Sequence, residues 1–281
     1  MFPQKFDMTK TAAVLVSTYN RPKALNLVLG GLANQFLAPT QVIIADDGSS
    51  QTTKEVIDYW RSQGLPLEHC WHEDRGYRKT KIMNEALRKV HAELCIFLDG
   101  DCIPLPSFVS NHLGMAEPKS ISAGPRILAS KRFTQQLELR GDINRLVHWS
   151  FWIARRLKGD VNRINQLFYI PDGPWRRMQP RDWGLVRGCN FSAPLIDVLA
   201  VDGFEEKLEG WGPDDSDLAV RLINYGLRVK NLRFAAPVLH LWHEEESRLN
   251  LACNREYLRS AIEEKRVQAL AGISARIEHL N

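Results

Sequence analysis

Two aspartates close an apolar run in Cys95-Ile96-Phe97-Leu98-Asp99-Gly100-Asp101. A buried strand gains nothing from such an ending, because a desolvated carboxylate costs free energy unless a cation or hydrogen-bond donors compensate it. Asp99 and Asp101 lie two apart, so in extended chain they project to one side. Such a pair suits a divalent cation that itself holds a diphosphate, although a solvated turn would account for these two residues alone. His240 and His243, in VLHLWHEEE, change that balance. Two imidazoles within one turn of irregular chain, after an apolar strand and beside acid, are candidate ligands. A set of carboxylate and imidazole favours Mn²⁺ over Ca²⁺; Mg²⁺ is the alternative ion.

A third group of residues is EGWGPDDSD, where Gly210 and Gly212 bracket Trp211. The loop can turn sharply there and present an indole face, which stacks on the apolar face of a sugar ring. Asp214 and Asp215 then fall at a helix N-terminus, where negative charge is stabilised. A carboxylate held there can serve as general base toward a hydroxyl within hydrogen-bond reach; a plain helix cap beside a core tryptophan is the simpler reading. Finally, RGYRKTKIMNEAL places Arg78 and Lys81 three apart at a helix start, on one face, where they could meet phosphate oxygens.

The surrounding periodicities say what positions these groups. AAVLVS (12–17), QVIIADDGSS (from 41), LEHCWH (67–72) and ELCIFLD (93–99) read as strands. Between them RPKALNLVLGGLANQ (21–35), TTKEVIDYWRSQG (52–64) and RKTKIMNEALRKVHA (78–92) read as helices, the first with Pro22 near its start. Strands alternating with single helices predict a largely parallel sheet. Its carboxyl rim would gather Ser17-Thr18-Tyr19-Asn20-Arg21, Asp46-Asp47-Gly48-Ser49 and Asp99-Gly100-Asp101, in the place where such sheets bind ligands. Further on, INRLVHWSFWIARRLKG predicts a helix with Leu146, Trp149, Ile153 and Leu157 along one face. A strand and short helix follow in 186–206, a helix enters after Pro213, a late strand lies in 232–246, and a polar helix spans 254–273.

Composition bounds the classes. The 281 residues are 44% hydrophobic and 25% charged, which is ordinary for a globular protein with a sizeable core. No apolar run reaches the roughly 18 residues of a spanning helix, and the amino terminus lacks the layout of a signal peptide. The five cysteines form no CxxC pair, so neither a disulfide framework nor a zinc site is indicated. These features predict a cytoplasmic protein with reduced thiols. Net charge is +4, yet residues 126–187 carry thirteen Lys or Arg against five Asp or Glu. That basic, aromatic stretch could hold an acidic saccharide, rest peripherally on the anionic inner face of a membrane, or form a solvated lid. Nucleic acid is excluded as a partner: the charge is local and no nucleic-acid motif is present.

Taken together, VLVSTYNRP, VIIADDGSS and LDGDC resemble the nucleotide-sugar-binding half of family 2 glycosyltransferases, which have the GT-A fold. VRGCNFSAPLIDVLAVDGFEEKLEGWGPDDSDLAVRLINYGL is similar to the C-terminal motif region shared with β-1,4-galactosyltransferases and bacterial chondroitin-type polymerases. The resemblance implies an α/β fold, a mostly parallel sheet flanked by helices, with the basic segment as a helical insertion on the acceptor side. It divides the chain into 1–125 (nucleotide-sugar half), 126–187 (insertion), 188–245 (acceptor and catalytic half) and 246–281 (helical end).

It also implies roles. Asp47 would accept from uracil, with Ser17, Tyr19 and Arg21 lining the uridine. Asp99 would face the ribose or a metal-bound water, and Asp101, His240 and His243 would hold Mn²⁺. Gly188 and Asn190 would contact the donor sugar, Trp211 and Asp214 the acceptor, and Asp215 would be the base of an inverting transfer from a UDP-sugar. The acceptor would be a saccharide or lipid-linked glycan of a bacterial surface polysaccharide or lipopolysaccharide. Two departures touch the acceptor side: the usual Gly-Gly after Trp is Gly212-Pro213, and the usual Glu is the shorter Asp214. A sugar-nucleotide nucleotidyltransferase would need a glycine-rich basic loop after the first strand, which STYNRPKAL is not. A non-catalytic carbohydrate-binding protein on the same fold is the other alternative.

Overall fold

The computed structural model describes residues 10–244 and 248–276. The first nine residues, on which the reading of the amino terminus rests in part, lie outside the described residues, as does the far end of the 246–281 segment. The first hundred residues alternate as their periodicity predicts: β1 (Ala12–Thr18), α1 (Pro22–Ala33), β2 (Gln41–Asp46), α2 (Gln51–Ser62), β3 (Leu67–Trp71), α3 (Lys79–Leu87) and β4 (Leu94–Asp99). There follow β5 (Cys102–Pro104), α4 (Phe108–Met115), β6 (Ser120–Ala123), β7 (Arg126–Leu128), α5 (Lys131–Arg140), α6 (Trp149–Leu157), β8 (Phe191–Pro194), α7 (Leu195–Ala200), α8 (Asp214–Asn224), β9 (Arg228–Asn231), β10 (Val238–His240) and α9 (Leu251–Glu263).

Seven strands form one sheet in the order β3-β2-β1-β4-β8-β6-β9. The pairs β3-β2, β2-β1, β1-β4 and β6-β9 are parallel, and β8 runs antiparallel to both its neighbours. Alternate residues of β1 enter different cores, Val14 and Val16 on one face and Ala13 and Leu15 on the other. Both faces of the sheet are therefore covered, which is why its strands read as continuous apolar runs. α1, α2, α5 and α6 contribute to the first core, α3, α7 and α8 to the second.

A second sheet, β5-β10-β7, lies beside the first. It comes from the late strand expected in 232–246, which shrinks to three residues and pairs antiparallel with β5, setting His240 opposite Cys102. That register brings the histidines to the Asp99-Gly100-Asp101 turn. The turn itself folds onto β1, since the Gly100 amide donates to the Ser17 carbonyl at 2.7 Å. A Cβ at position 100 would fall 2.7 Å from that same oxygen, so the turn requires glycine.

Three expectations are corrected. α3 stops at Leu87, where the chain turns toward β4. The terminal helix ends at Glu263, because the buried Glu205 carboxylate accepts from the Leu270 and Ala271 amides and holds 269–273 against α7 and the turn after it. In the basic segment, Leu146 and Trp149 share no helix face. The chain is extended at His148 (φ −99°, ψ 122°), so α6 begins afresh and buries Phe151 and Trp152, leaving Trp149, Ile153 and Leu157 exposed. The segment is also not wholly helical, since β7 opens it as a strand of the small sheet.

Candidate active site

The parallel register of β1 with β4 sets Ser17 opposite Asp99, and the Ser17 hydroxyl donates to Asp99 Oδ1 at 2.8 Å. Lys79, the first residue of α3, donates to the same oxygen at 3.1 Å and lies 3.6 Å from Asp214 Oδ2. One ammonium therefore bridges a carboxylate at the end of β4 and a carboxylate at the start of α8. Burial opposes the charge on Lys79, but Asp99 and then Asp214 outweigh it and hold its pKa well above the usual lysine range. Burial likewise works to raise the Asp99 pKa, and Lys79 and Ser17 reverse it, leaving the group lowered.

Asp215 sits beside this bridge. Its Oδ2 accepts from the Gly188 amide and its Oδ1 from the Ser216 amide at 2.7 Å. Burial, then the neighbouring Asp214 charge, push its pKa up to about 6, with Lys79 and the Gly188 amide acting in the opposite direction. A carboxylate with that affinity for a proton is ionised at neutral pH and still basic enough to accept one. Asp214 is buried, and its Oδ2 has no hydrogen-bond partner. A water-sized gap of about 10 Å³ is lined by Ser17, Lys79, Asp99, Gly188, Asp214 and Asp215, among others. The end of β4 and the start of α8 thus share one cleft.

The metal-type residues converge on Asp101. His240 Nε2 is 3.7 Å from Asp101 Oδ1, and His243 Nε2 is 3.6 Å from Oδ2. His243 Nδ1 lies 2.7 Å from the Glu244 carbonyl, a contact that makes Nδ1 the donor and leaves Nε2 turned toward Asp101. Burial lowers the His240 pKa, which favours the neutral imidazole that a metal requires. Asp101, Cys102 and His240 place ligand atoms within 4.8 Å of one another. The Cys102 thiol is pushed up by burial, so it stays protonated. A carboxylate with two imidazoles fits a divalent ion of the Mn²⁺ type.

On the other side of Asp99, Asp47 Oδ1 lies 2.6 Å from His72 Nε2 and Oδ2 accepts from the Arg78 amide at 2.7 Å. Its pKa is raised by burial. The Tyr19 hydroxyl donates to Asp74 at 2.8 Å, at the edge of this pocket.

Three predicted residues, Arg21, Lys81 and Asn190, lie elsewhere than their expected roles require. Arg21 does not line the Asp47 pocket: its guanidinium meets Asp101 at 2.8 Å and the Trp242 carbonyl at 3.3 Å. Asn20 (φ +46°) turns the chain just before α1, so Arg21 leaves toward the aspartate turn. Lys81 pairs with Glu209 at 2.5 Å. The helix starts one residue after Arg78, and Lys79, between the two predicted cations, is the one that enters the cleft. Asn190 is fully buried and cannot reach a sugar. Its Nδ2 donates to the Pro125 and Ala236 carbonyls, and His112 Nε2 lies 3.0 Å from its Oδ1. Trp211 is half-buried, with the Arg248 guanidinium 5.4 Å from its ring.

The loop carrying Trp211 is tied from outside the sheet. The Glu209 carbonyl accepts from both Asn250 and Asn254 at 3.0 Å, and the Gly210 amide donates to the Tyr77 carbonyl at 3.2 Å. A Cβ at Gly212 would meet Asn254 Nδ2 at 2.6 Å, so this close approach of α9 explains the second glycine of Gly-Trp-Gly. Lys79 and His72 were missed by sequence reasoning. Lys79 stood between two named cations, and His72 just past the end of β3, the strand beside β2; only the tertiary fold makes either meaningful.

The chain matches the family model for glycosyl transferase family 2 over residues 13–180, and the model for the N-terminal domain of galactosyltransferase over residues 179–244. It is 30% identical over 257 residues to validoxylamine A glucosyltransferase of Streptomyces hygroscopicus subsp. limoneus, covering 86% of this chain and 55% of that one. It is 24% identical over 263 residues to chondroitin synthase of Escherichia coli, covering 87% and 36%. The chain thus spans from about a third to just over half the length of these relatives. Among solved structures, S. aureus TarS superposes with a TM-score of 0.64 at 16% identity, over 96% of this chain and 42% of that one. GalNAc-T7, solved with UDP, GalNAc and Mn²⁺, superposes with a TM-score of 0.58 at 10% identity, over 85% and 45%. Both are similar in fold, which is GT-A. Among the described residues no helix is long and apolar enough to cross a membrane.

Proposed function

The chain belongs to glycosyl transferase family 2, and from that premise we propose that it moves a hexose or N-acetylhexosamine from a UDP-sugar to a saccharide acceptor, inverting the anomeric carbon. The observation that carries this reading is the Lys79 bridge, which sets the donor-side Asp99 and the acceptor-side Asp214 and Asp215 around one cleft.

In this mechanism Asp47 orients the uracil edge, and Asp99, held by Ser17 and Lys79, faces the ribose. Asp101, His240 and His243 would hold Mn²⁺ (Mg²⁺ is the alternative), which when bound would supply Lewis-acid stabilisation to the departing diphosphate. Asp215 accepts the proton of the acceptor hydroxyl as that oxygen forms its bond to the anomeric carbon. The bond from that carbon to the diphosphate oxygen breaks on the opposite face, and UDP leaves. An α-linked donor gives a β-glycoside. The negative charges on Asp215 and Asp99 are held by the Gly188 and Ser216 amides, Ser17 and Lys79, groups already in place before reaction. Trp211 offers its ring, and Asp214 its carboxylate, to the acceptor sugar. Relatives named for validoxylamine glucosylation and chondroitin synthesis support a saccharide-like acceptor. A growing, lipid-linked surface glycan is the class we favour.

The test is UDP release from a panel of UDP-sugars, with and without Mn²⁺, by wild type and Asp215→Asn. Turnover of at least one donor, stimulated by Mn²⁺ and lost in the variant, is expected. Unchanged turnover in Asp215→Asn would dismiss the base assignment.

A further inference from the structure

The Asp101 carboxylate is engaged by a cation of the chain itself. Its Oδ2 takes the Arg21 guanidinium at 2.8 Å, while its Oδ1 accepts from the Cys102 thiol at 3.4 Å and lies 3.7 Å from His240 Nε2. His243 Nε2 lies 3.6 Å from the oxygen that Arg21 occupies. Arg21 and a divalent ion therefore address the same carboxylate. The pair is partly buried, with Asp101 only 14% exposed, so water and salt screen it incompletely. A positive charge held there repels an incoming cation and draws on the negative charge that cation needs.

Arg21 has other places to go. Its Nη2 meets the Trp242 carbonyl at 3.3 Å and lies 3.6 Å from Glu138 on α5. Glu138 is thus a second carboxylate that keeps the guanidinium compensated when it leaves Asp101. A diphosphate arriving beside Asp101 offers the guanidinium a forked, more highly charged acceptor than one carboxylate does. We infer that Arg21 is an internal counter-ion of Asp101 that competes with the metal and is drawn off by the donor's diphosphate, so that nucleotide binding raises metal affinity. The inference deepens the proposed function, since it rests on Asp101 as a metal ligand. A purely orienting Arg21 predicts the reverse: without it, Asp101 would slacken and hold metal less tightly.

Calorimetric titration with Mn²⁺, without UDP and at saturating UDP, tests it. Without UDP, Arg21→Met should bind Mn²⁺ about five-fold more tightly than wild type, and the gain in Mn²⁺ affinity on adding UDP should shrink by about the same factor. Lys131 is a neighbouring cation that meets Glu244 and the Trp242 ring rather than Asp101; Lys131→Met should match wild type. Unchanged or weaker Mn²⁺ affinity in Arg21→Met would overturn the inference, as would equal tightening in Lys131→Met or an undiminished gain with UDP. Asp101→Ala separates this from the metal assignment. Undisturbed Mn²⁺ binding in that variant refutes assignment and inference together, whereas weakened binding there with an unresponsive Arg21→Met refutes the inference alone.

Discussion

The proposed donor rim and the proposed acceptor loop, which leads into α8, are held in place by different means. Ser17, Asp47 and Asp99 lie at or just past the ends of β1, β2 and β4, and parallel register sets their spacing. Residues 209–213 belong to no strand and are held by side-chain bonds from Asn250 and Asn254 and one amide to Tyr77. The first region cannot move without breaking the sheet. The second can change its bonds while the fold survives, so the proposed mechanism builds donor chemistry on the rigid part and acceptor selection on the adjustable one.

The sharpest way to test that division is to remove the base. Asp215→Asn is expected to lower kcat by about 10²–10⁴-fold while UDP affinity, measured by calorimetry, stays near wild type; parallel loss of both would merge the two regions. Next, His240→Ala or Asp101→Ala should weaken Mn²⁺ affinity by at least about ten-fold, read by metal titration in the presence of UDP. Asn190→Ala addresses the scaffold, leaving the Ala236 carbonyl and His112 Nε2 without a partner, while the Pro125 carbonyl keeps the Val238 amide and His112 Nδ1 keeps Ser192. We expect a loss of roughly 2–3 kcal/mol in stability, read by urea unfolding, with the KM for donor unchanged. The smallest effect belongs to the loop: Asn254→Ala should raise the acceptor KM by about two- to five-fold, as one hydrogen bond of roughly 1 kcal/mol is lost, and leave the donor KM alone.

The same division decides what could be read before the structure. The alternation of β1 to β4 was legible because both faces of the sheet are covered and each strand is an apolar run. The Asp101 and histidine cluster was legible as a set of residue types, although the pairing of β10 with β5 that joins them leaves no periodic trace. Trp149, Ile153 and Leu157 misled because equal spacing marks a helix stripe without saying which stripe is buried, and an extended residue at His148 resets the phase. Asn190 misled for a related reason: motif position says that a residue is needed, and only its hydrogen bonds show for what. Lys79 went unnoticed because its meaning lies in two acids 20 and 135 positions further along the chain, Asp99 and Asp214.

That ammonium is also the most direct probe of the claim that donor rim and base share one cleft. Asp215 must be ionised to accept a proton, so kcat/KM should rise with pH through a midpoint near its pKa of about 6. Lys79 favours the carboxylate, so removing its charge must raise that midpoint. The measurement is the pH profile of kcat/KM for wild type and Lys79→Met. An acid limb displaced upward by about one pH unit in the variant is predicted; superimposable limbs would contradict the shared cleft.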